Sequence, residues 1–226
     1  MWWLAIPVIG LVGKAIYDAV TDEDEAPSPR RKTTLELNLE RLEEQLQSHS
    51  GYKIAILGQP GAGKSSLLKK MTNGKVKPLP VIGAQTDATD WSSDTACNLL
   101  SVYERYVFAD VPGYDTSSHP LYVFSSSFPF RHFDAFIFVI HGKLHSSDED
   151  VFRLISRSGK RISIAKSFSD SLESDDIVSV EKDIRTRLSL SDSASILFFR
   201  NRTGVGIESV FNSIKKLDKL WFSSIK

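Results

Sequence analysis

The chain has 226 residues, of which 41% are hydrophobic and 25% charged, enough for one packed α/β domain with additional segments. Its formal net charge is zero, so no overall field favours a nucleic-acid partner and none is indicated. One cysteine, Cys97, excludes an internal disulfide and a cysteine-based zinc site, which suits a reducing, cytoplasmic setting.

Residues 1–20 open with the uncharged run Met1–Gly13 (MWWLAIPVIGLVG), interrupted afterwards by Lys14 and Asp18. A spanning helix needs roughly 20 mostly apolar residues, so the run is short. It also lacks the basic start and small-residue cleavage site of a secretory signal. Trp2 and Trp3 suit the headgroup layer of a bilayer. Two readings stand for this segment: association with a membrane surface, or docking on the protein itself. Residues 21–33 combine an acidic run, two prolines and a basic cluster, the composition of a linker. Thr33 and Glu36 then stand at capping-box spacing, and Leu35, Leu39, Leu42 and Leu46 predict an amphipathic helix over 34–48 within a helical segment 34–49. The leucine repeat is too short for a coiled coil, so packing on the main domain, 50–226, is predicted.

From Tyr52 apolar strands alternate with amphipathic helices, the pattern of a doubly wound, mostly parallel α/β sheet with helices on both faces. Strands are predicted at 52–57, 95–101, 104–110, 134–140, 161–166 and 195–200. Helices are predicted near 64–72, 118–126, 148–157, 177–188 and 206–221. A tight turn joins the second and third strands, so one of that pair should run antiparallel.

After the first strand, Gly58-Gln59-Pro60-Gly61-Ala62-Gly63-Lys64-Ser65 fits GxxxxGK[ST] and opens the helix SSLLKKM. Backbone N–H groups must converge on phosphate oxygens here, and side chains would block the approach. The expected phosphate contacts are Gly61, Ala62, Gly63, Lys64, Ser65 and Ser66. Lys64 brings a point charge to the terminal phosphates, and the Ser65 hydroxyl ligates magnesium. Between this loop and the next motif lies PVIGAQTDATDW, residues 80–91. It offers Thr86 or Thr89 to complete the magnesium shell, and Thr89 is favoured, acting with Lys64 on the reacting phosphate. At the end of the strand RYVFAD, Asp110 is placed to hold magnesium, and Gly113 to bring its N–H to the γ-phosphate.

Asp110-Val111-Pro112-Gly113 after such a loop resembles the GTPase superfamily of translation-factor type. Residues 133–170 (FDAFIFVIHGKLHSSDEDVFRLISRSGKRISIAKSFSD) resemble the immunity-related GTPases, and the likeness runs over roughly 50–220. It implies a P-loop GTPase fold, GTP and GDP as nucleotides, and magnesium as cofactor. In that family a Ser/Thr-Lys-x-Asp motif reads the base; here Ser167-Phe168-Ser169-Asp170 stands in its place. Asp170 would accept from guanine N1 and N2, which adenine cannot offer. Phe168 replaces the lysine and would stack on the base. Arg200-Asn201 occupies the last base motif, where Asn201 matches the family and Arg200 does not.

No glutamine follows the DVPG frame; Tyr114, Asp115 and Thr116 do. Hydrolysis would then rest on magnesium, Lys64, backbone groups and a partner or second copy across the nucleotide face. Three functions are weighed: a GTP-hydrolysing switch, a module that holds nucleotide with little turnover, and an ATPase or small-molecule kinase, in that order. His141 and His145 follow a strand in a loop and read as surface histidines, not metal ligands.

Overall fold

The computed structural model describes residues 30–83, 89–167 and 174–223, without the side chains of 174–175 and 220–223. The expectations for residues 1–20 and most of the linker, and for Thr86, Phe168 and Asp170, lie outside the described residues. The chain divides into two units, Met1–Lys32 and Thr33–Lys226, and the second carries all the elements below.

Helix α1 spans Thr34–Ser48 and starts as its sequence dictates. The Thr33 hydroxyl accepts from Glu36 N–H (3.2 Å), while Thr33 N–H donates to the Glu36 carboxylate (2.7 Å), so two otherwise orphaned donors are satisfied. Leu35, Leu39, Leu42 and Leu46 are all buried, each contributing about 1.5–3 kcal/mol of hydrophobic stabilisation. They pack the helix against the domain, chiefly on α3 and a 3₁₀ turn described below.

The remaining elements follow in chain order: β1 (Tyr52–Leu57), α2 (Lys64–Met71), β2 (Ser101–Tyr103), β3 (Tyr106–Asp110) and α3 (Leu121–Ser127). A 3₁₀ turn (Phe130–His132) precedes β4 (Ala135–His141), α4 (Ser146–Arg157), β5 (Arg161–Ser167), α5 (Ser174–Arg187), β6 (Ile196–Phe199) and α6 (Ile207–Ser223). They build one sheet in the order β2-β3-β1-β4-β5-β6, parallel except for the β2–β3 pair.

Period-two alternation sorts each central strand between two cores. Ile54 and Ile56 of β1, with Ile137 and Val139 of β4, face α2 and α6. Ala55 and Leu57, with Phe136 and Phe138, face the α1 leucines and the buried residues of α3, α4 and α5. The doubly wound arrangement is therefore present, and β1 lies at its centre.

One predicted strand is corrected. Residues 95–100 are not strand, and β2 begins at Ser101. The hairpin turn falls on Glu104-Arg105, with Glu104 at φ +54° and Tyr103 paired with Tyr106. The Cys97 carbonyl that such a strand would give to a ladder is taken by Arg41 of α1, and just upstream Asn38 donates to the carbonyls of Trp91 and Asp94. Leu99 and Leu100 supply the apolar pattern by packing into the core as loop residues.

Candidate nucleotide site

β1, β3, β4 and β5 are parallel, so the loops at their carboxyl ends gather on one edge, where open α/β sheets bind ligands. The Gly58–Ser65 loop lies there between β1 and α2. Gly63 precedes α2 in the left-handed region (φ +88°). The positive φ favours glycine, and a Cβ there would lie 2.3 Å from Asn201 Nδ2 and displace that side chain. Ala62 is buried and its N–H donates to Gln59 O, tightening the loop; Gly61 is exposed, and Ser66 sits in the first turn of α2. Lys64 is buried, and its ammonium donates to the carbonyls of Gly58 (2.9 Å) and Gln59 (3.0 Å), which hold the charge over the loop.

Three oxygen-bearing side chains from separate segments converge beside it. Ser65 Oγ donates to Asp110 Oδ2 (2.5 Å), Thr89 Oγ1 donates to the same oxygen (3.2 Å), and the two hydroxyls are 3.3 Å apart. Asp110 Oδ1 is buried with no hydrogen-bond partner among the described residues. Burial pushes the Asp110 carboxyl above the ordinary carboxylate range, against the lowering pull of the Ser65 hydroxyl, the Lys64 charge and the Thr89 hydroxyl. Two hydroxyls and a carboxylate with an unused oxygen are a hard-oxygen donor set that suits magnesium. Among the described residues no three His, Cys, Asp or Glu side chains group to hold a metal, since this set contains a single carboxylate. His141 and His145 are exposed, the latter as the N-cap of α4.

Gly113 is buried against the phosphate loop: a Cβ there would lie 2.4 Å from Pro60. Tyr114 turns into the core and donates to Asp148 Oδ1 (2.5 Å), and burial raises its phenol well above the ordinary tyrosine value. Asp148 also accepts from His145 N–H (2.8 Å), and Ser147 Oγ meets Gln59 Nε2 at 2.9 Å. The first turn of α4 thus braces both phosphate motifs. Ser147 and Asp148 had no signal in the sequence beyond an ordinary helix start.

Asn201 stands in the loop after β6. Its Nδ2 donates to Gly63 O (3.0 Å), while its Oδ1 is buried without a hydrogen-bond partner among the described residues. The structure ties this residue to the phosphate loop, alongside the base contact expected of it. Lys166, at the end of β5, is buried with its ammonium on the carbonyls of Gly142 (2.8 Å) and Ser167 (3.2 Å), and burial lowers its pKa. A lysine directly after the run ISIA, still within the strand pattern, was the signal available for it. Lys64, Ser65, Thr89 and Asp110 are brought together; Gly113 and Asn201 adjoin them through the phosphate loop.

Residues 53–167, about half of the chain, match the family model described as 50S ribosome-binding GTPase. No curated protein matches the sequence. Among solved structures, a probable GTP-binding protein EngB is 13% identical, with a TM-score of 0.54 over 73% of this chain and 97% of its own. A bacterial selenocysteine-specific elongation factor EF-Sec is 18% identical, TM-score 0.56, over 75% of this chain and 29% of its own. The apo elongation factor SelB of Methanococcus maripaludis is 17% identical, TM-score 0.52, over 76% of this chain and 37% of its own. At these identities the likeness is one of fold.

Proposed function

The chain belongs to the 50S ribosome-binding GTPase family, and from that premise we propose that it is a magnesium-dependent switch that binds GTP and hydrolyses it to GDP. The observation that carries the reading is the meeting of Ser65, Thr89 and Asp110 beside the buried Lys64, with one Asp110 oxygen left without a partner. Ser65, Thr89 and Asp110 would hold the magnesium, which when bound neutralises phosphate charge. Lys64 would turn from the carbonyls of Gly58 and Gln59 towards the terminal phosphates, and Gly113 N–H would face the γ-phosphate. Asp170 and Asn201 would address the base.

A second reading is a module that holds nucleotide with little turnover. It is favoured by Tyr114, whose side chain follows Gly113 but is committed to Asp148 in the core and so is withdrawn from any attacking water. Hydrolysis under the first reading then calls on a partner or a second copy across the nucleotide face. The finer kinship of residues 133–170 with immunity-related GTPases, the cytoplasmic setting and a membrane-associated N-terminus are part of the proposal. The last is supported by the uncharged run Met1–Gly13 with its two tryptophans.

Calorimetric titration with GTP, GDP, ATP and XTP, with and without magnesium, tests the assignment, and single-turnover phosphate release separates the two readings. Lys64→Ala should lose at least tenfold in triphosphate affinity, since a charge-assisted bond contributes about 1.5–3 kcal/mol. Unchanged affinity in a folded variant removes the assignment.

A further inference from the structure

Two residues beyond Thr89, the backbone of Trp91 is held from both sides. Its N–H donates to His119 Nε2 (3.1 Å), and its carbonyl accepts from Asn38 Nδ2 (2.7 Å). The three elements involved have different relations to the nucleotide site. Thr89 touches Ser65 and Asp110 directly. His119 ends the stretch that begins at Gly113; its own N–H donates to Thr116 Oγ1 (3.0 Å), and its ring lies 3.3 Å from the Asp90 carboxylate. Asn38 belongs to α1, which precedes the nucleotide-binding fold in the chain and supplies none of the phosphate-site contacts.

The burial is complete at each joint. Asn38 is 0% exposed, Trp91 2% and His119 6%. Asn38 also donates to Asp94 O (2.9 Å), so both its amide protons are spent on this segment. A polar residue in the middle of an apolar helix face costs stability unless it is satisfied; here the two amide protons are satisfied only while Trp91 and Asp94 stay in place, and Oδ1 is buried with no hydrogen-bond partner among the described residues. The indole packs in the same core as Leu39 and Leu42 of α1 and Tyr114 beside Gly113. The helix is thus keyed to both segments that border the γ-phosphate position.

Resting on the GTP-switch reading above, we propose that Trp91 is the relay that couples occupancy of the magnesium and γ-phosphate site to the docking of α1. Only two residues, at most about 7 Å of extended chain, separate Thr89 from Trp91, so a shift of Thr89 onto a bound cation is passed on towards Trp91. A shift there strains or relaxes the Asn38 and His119 bonds together. Helix α1 is accordingly the output element of the switch. Coupling is reciprocal: whatever nucleotide state secures α1 is itself bound more tightly because α1 is docked.

Amide hydrogen exchange over residues 34–48 of the full chain reads the coupling. The states compared are ligand-free, magnesium–GDP and magnesium with a non-hydrolysable GTP analogue. Exchange of α1 is expected to differ by about fivefold or more between the two nucleotide states, the lower end of ordinary coupling energies. Asn38→Leu, which keeps the volume and removes the amide, should erase the difference. It should also shift the ratio of analogue to GDP affinity by a similar factor. Calorimetry on the same samples separates the failures. Absence of nucleotide binding overturns the switch reading and the relay with it. Binding with state-independent α1 exchange in the natural sequence overturns the relay alone, whatever the variant's stability.

Discussion

Replacing Asp110 by asparagine sets stability against function at one buried oxygen. Asp110 Oδ2 is satisfied by Ser65 and Thr89, but Oδ1 is buried without a partner, and the carboxyl's pKa is raised by burial more than Lys64 and the two hydroxyls lower it. An unsatisfied buried polar atom costs about 1–3 kcal/mol, and more if charged. Asparagine keeps the shape and the accepting oxygen, leaves an amide NH2 where Oδ1 has no partner, and removes the charged part of that cost. Ligand-free Asp110→Asn at neutral pH should therefore be more stable by about 1 kcal/mol, a rise in Tm of about 2–4 °C for a chain of this size. The pH dependence has a fixed sign. A carboxyl whose folded pKa is raised contributes stability that is fully present below its unfolded pKa of about 3.9 and is lost as pH rises through the folded value. The advantage of the asparagine variant should thus shrink as pH falls from neutral towards that range. Thermal denaturation followed by circular dichroism in a chelator measures both effects. Adding magnesium and GTP should reverse the order: saturation at a hundredfold excess over Kd adds about 2.7 kcal/mol to the natural protein and little to the variant. A variant that is less stable without ligand, or that keeps the full magnesium-dependent gain, refutes the reasoning.

Gly113→Ala forces a Cβ to within 2.4 Å of Pro60, so the phosphate loop must give way; affinity for a GTP analogue should fall about tenfold or more by calorimetry, with GDP affected less. On the proposed base contact, Asp170→Asn should move preference from GTP towards XTP, whose C2 oxygen accepts from an amide; competition binding that leaves the two nucleotides unchanged relative to each other removes Asp170 from the site. Deleting residues 1–20 should release the protein from liposomes in flotation without altering nucleotide affinity, and a full-length protein that never floats ends the membrane proposal.

Local chemistry explains what could be read from the sequence. The Thr33–Glu36 cap and the leucine repeat of α1 lie within a few residues of what they determine, and the phosphate loop carries its mechanism in consecutive residues. The strand misplaced at 95–101 shows the opposite case. Nothing local says that the carbonyls of Trp91, Asp94 and Cys97 are spoken for by Asn38 and Arg41, more than fifty residues earlier. Glu104 also takes a positive φ that usually advertises itself through glycine or asparagine. Ser147 and Asp148 read as a helix start, because Gln59 and Tyr114 meet them only after the sheet has formed. Thr89 and Thr86 stand alike in the sequence of their loop; Thr89 donates to Asp110, and Thr86 lies outside the described residues.

The same long-range contacts explain how the site tolerates its own charges. Lys64 and Asp110 are both buried and serve each other only in part, since the lysine is held by loop carbonyls and one oxygen of the aspartate has no partner. Left to local forces such a pair would reorganise or be hydrated. It is fixed instead by neighbours that have other anchors: Asn201 on Gly63, Ser147 on Gln59, Pro60 against Gly113, Asp148 on Tyr114. The anchors come from the β3–α3 loop, the start of α4 and the loop after β6, all at the carboxyl edge of the sheet, so the penalty at the centre is borne by the whole edge. A polyanion with magnesium relieves it at both ends, supplying anionic oxygens to Lys64 and a cation to Asp110. The ligand-free site is therefore strained towards the ligand it is proposed to take, and nucleotide binding should tighten all four loops at once.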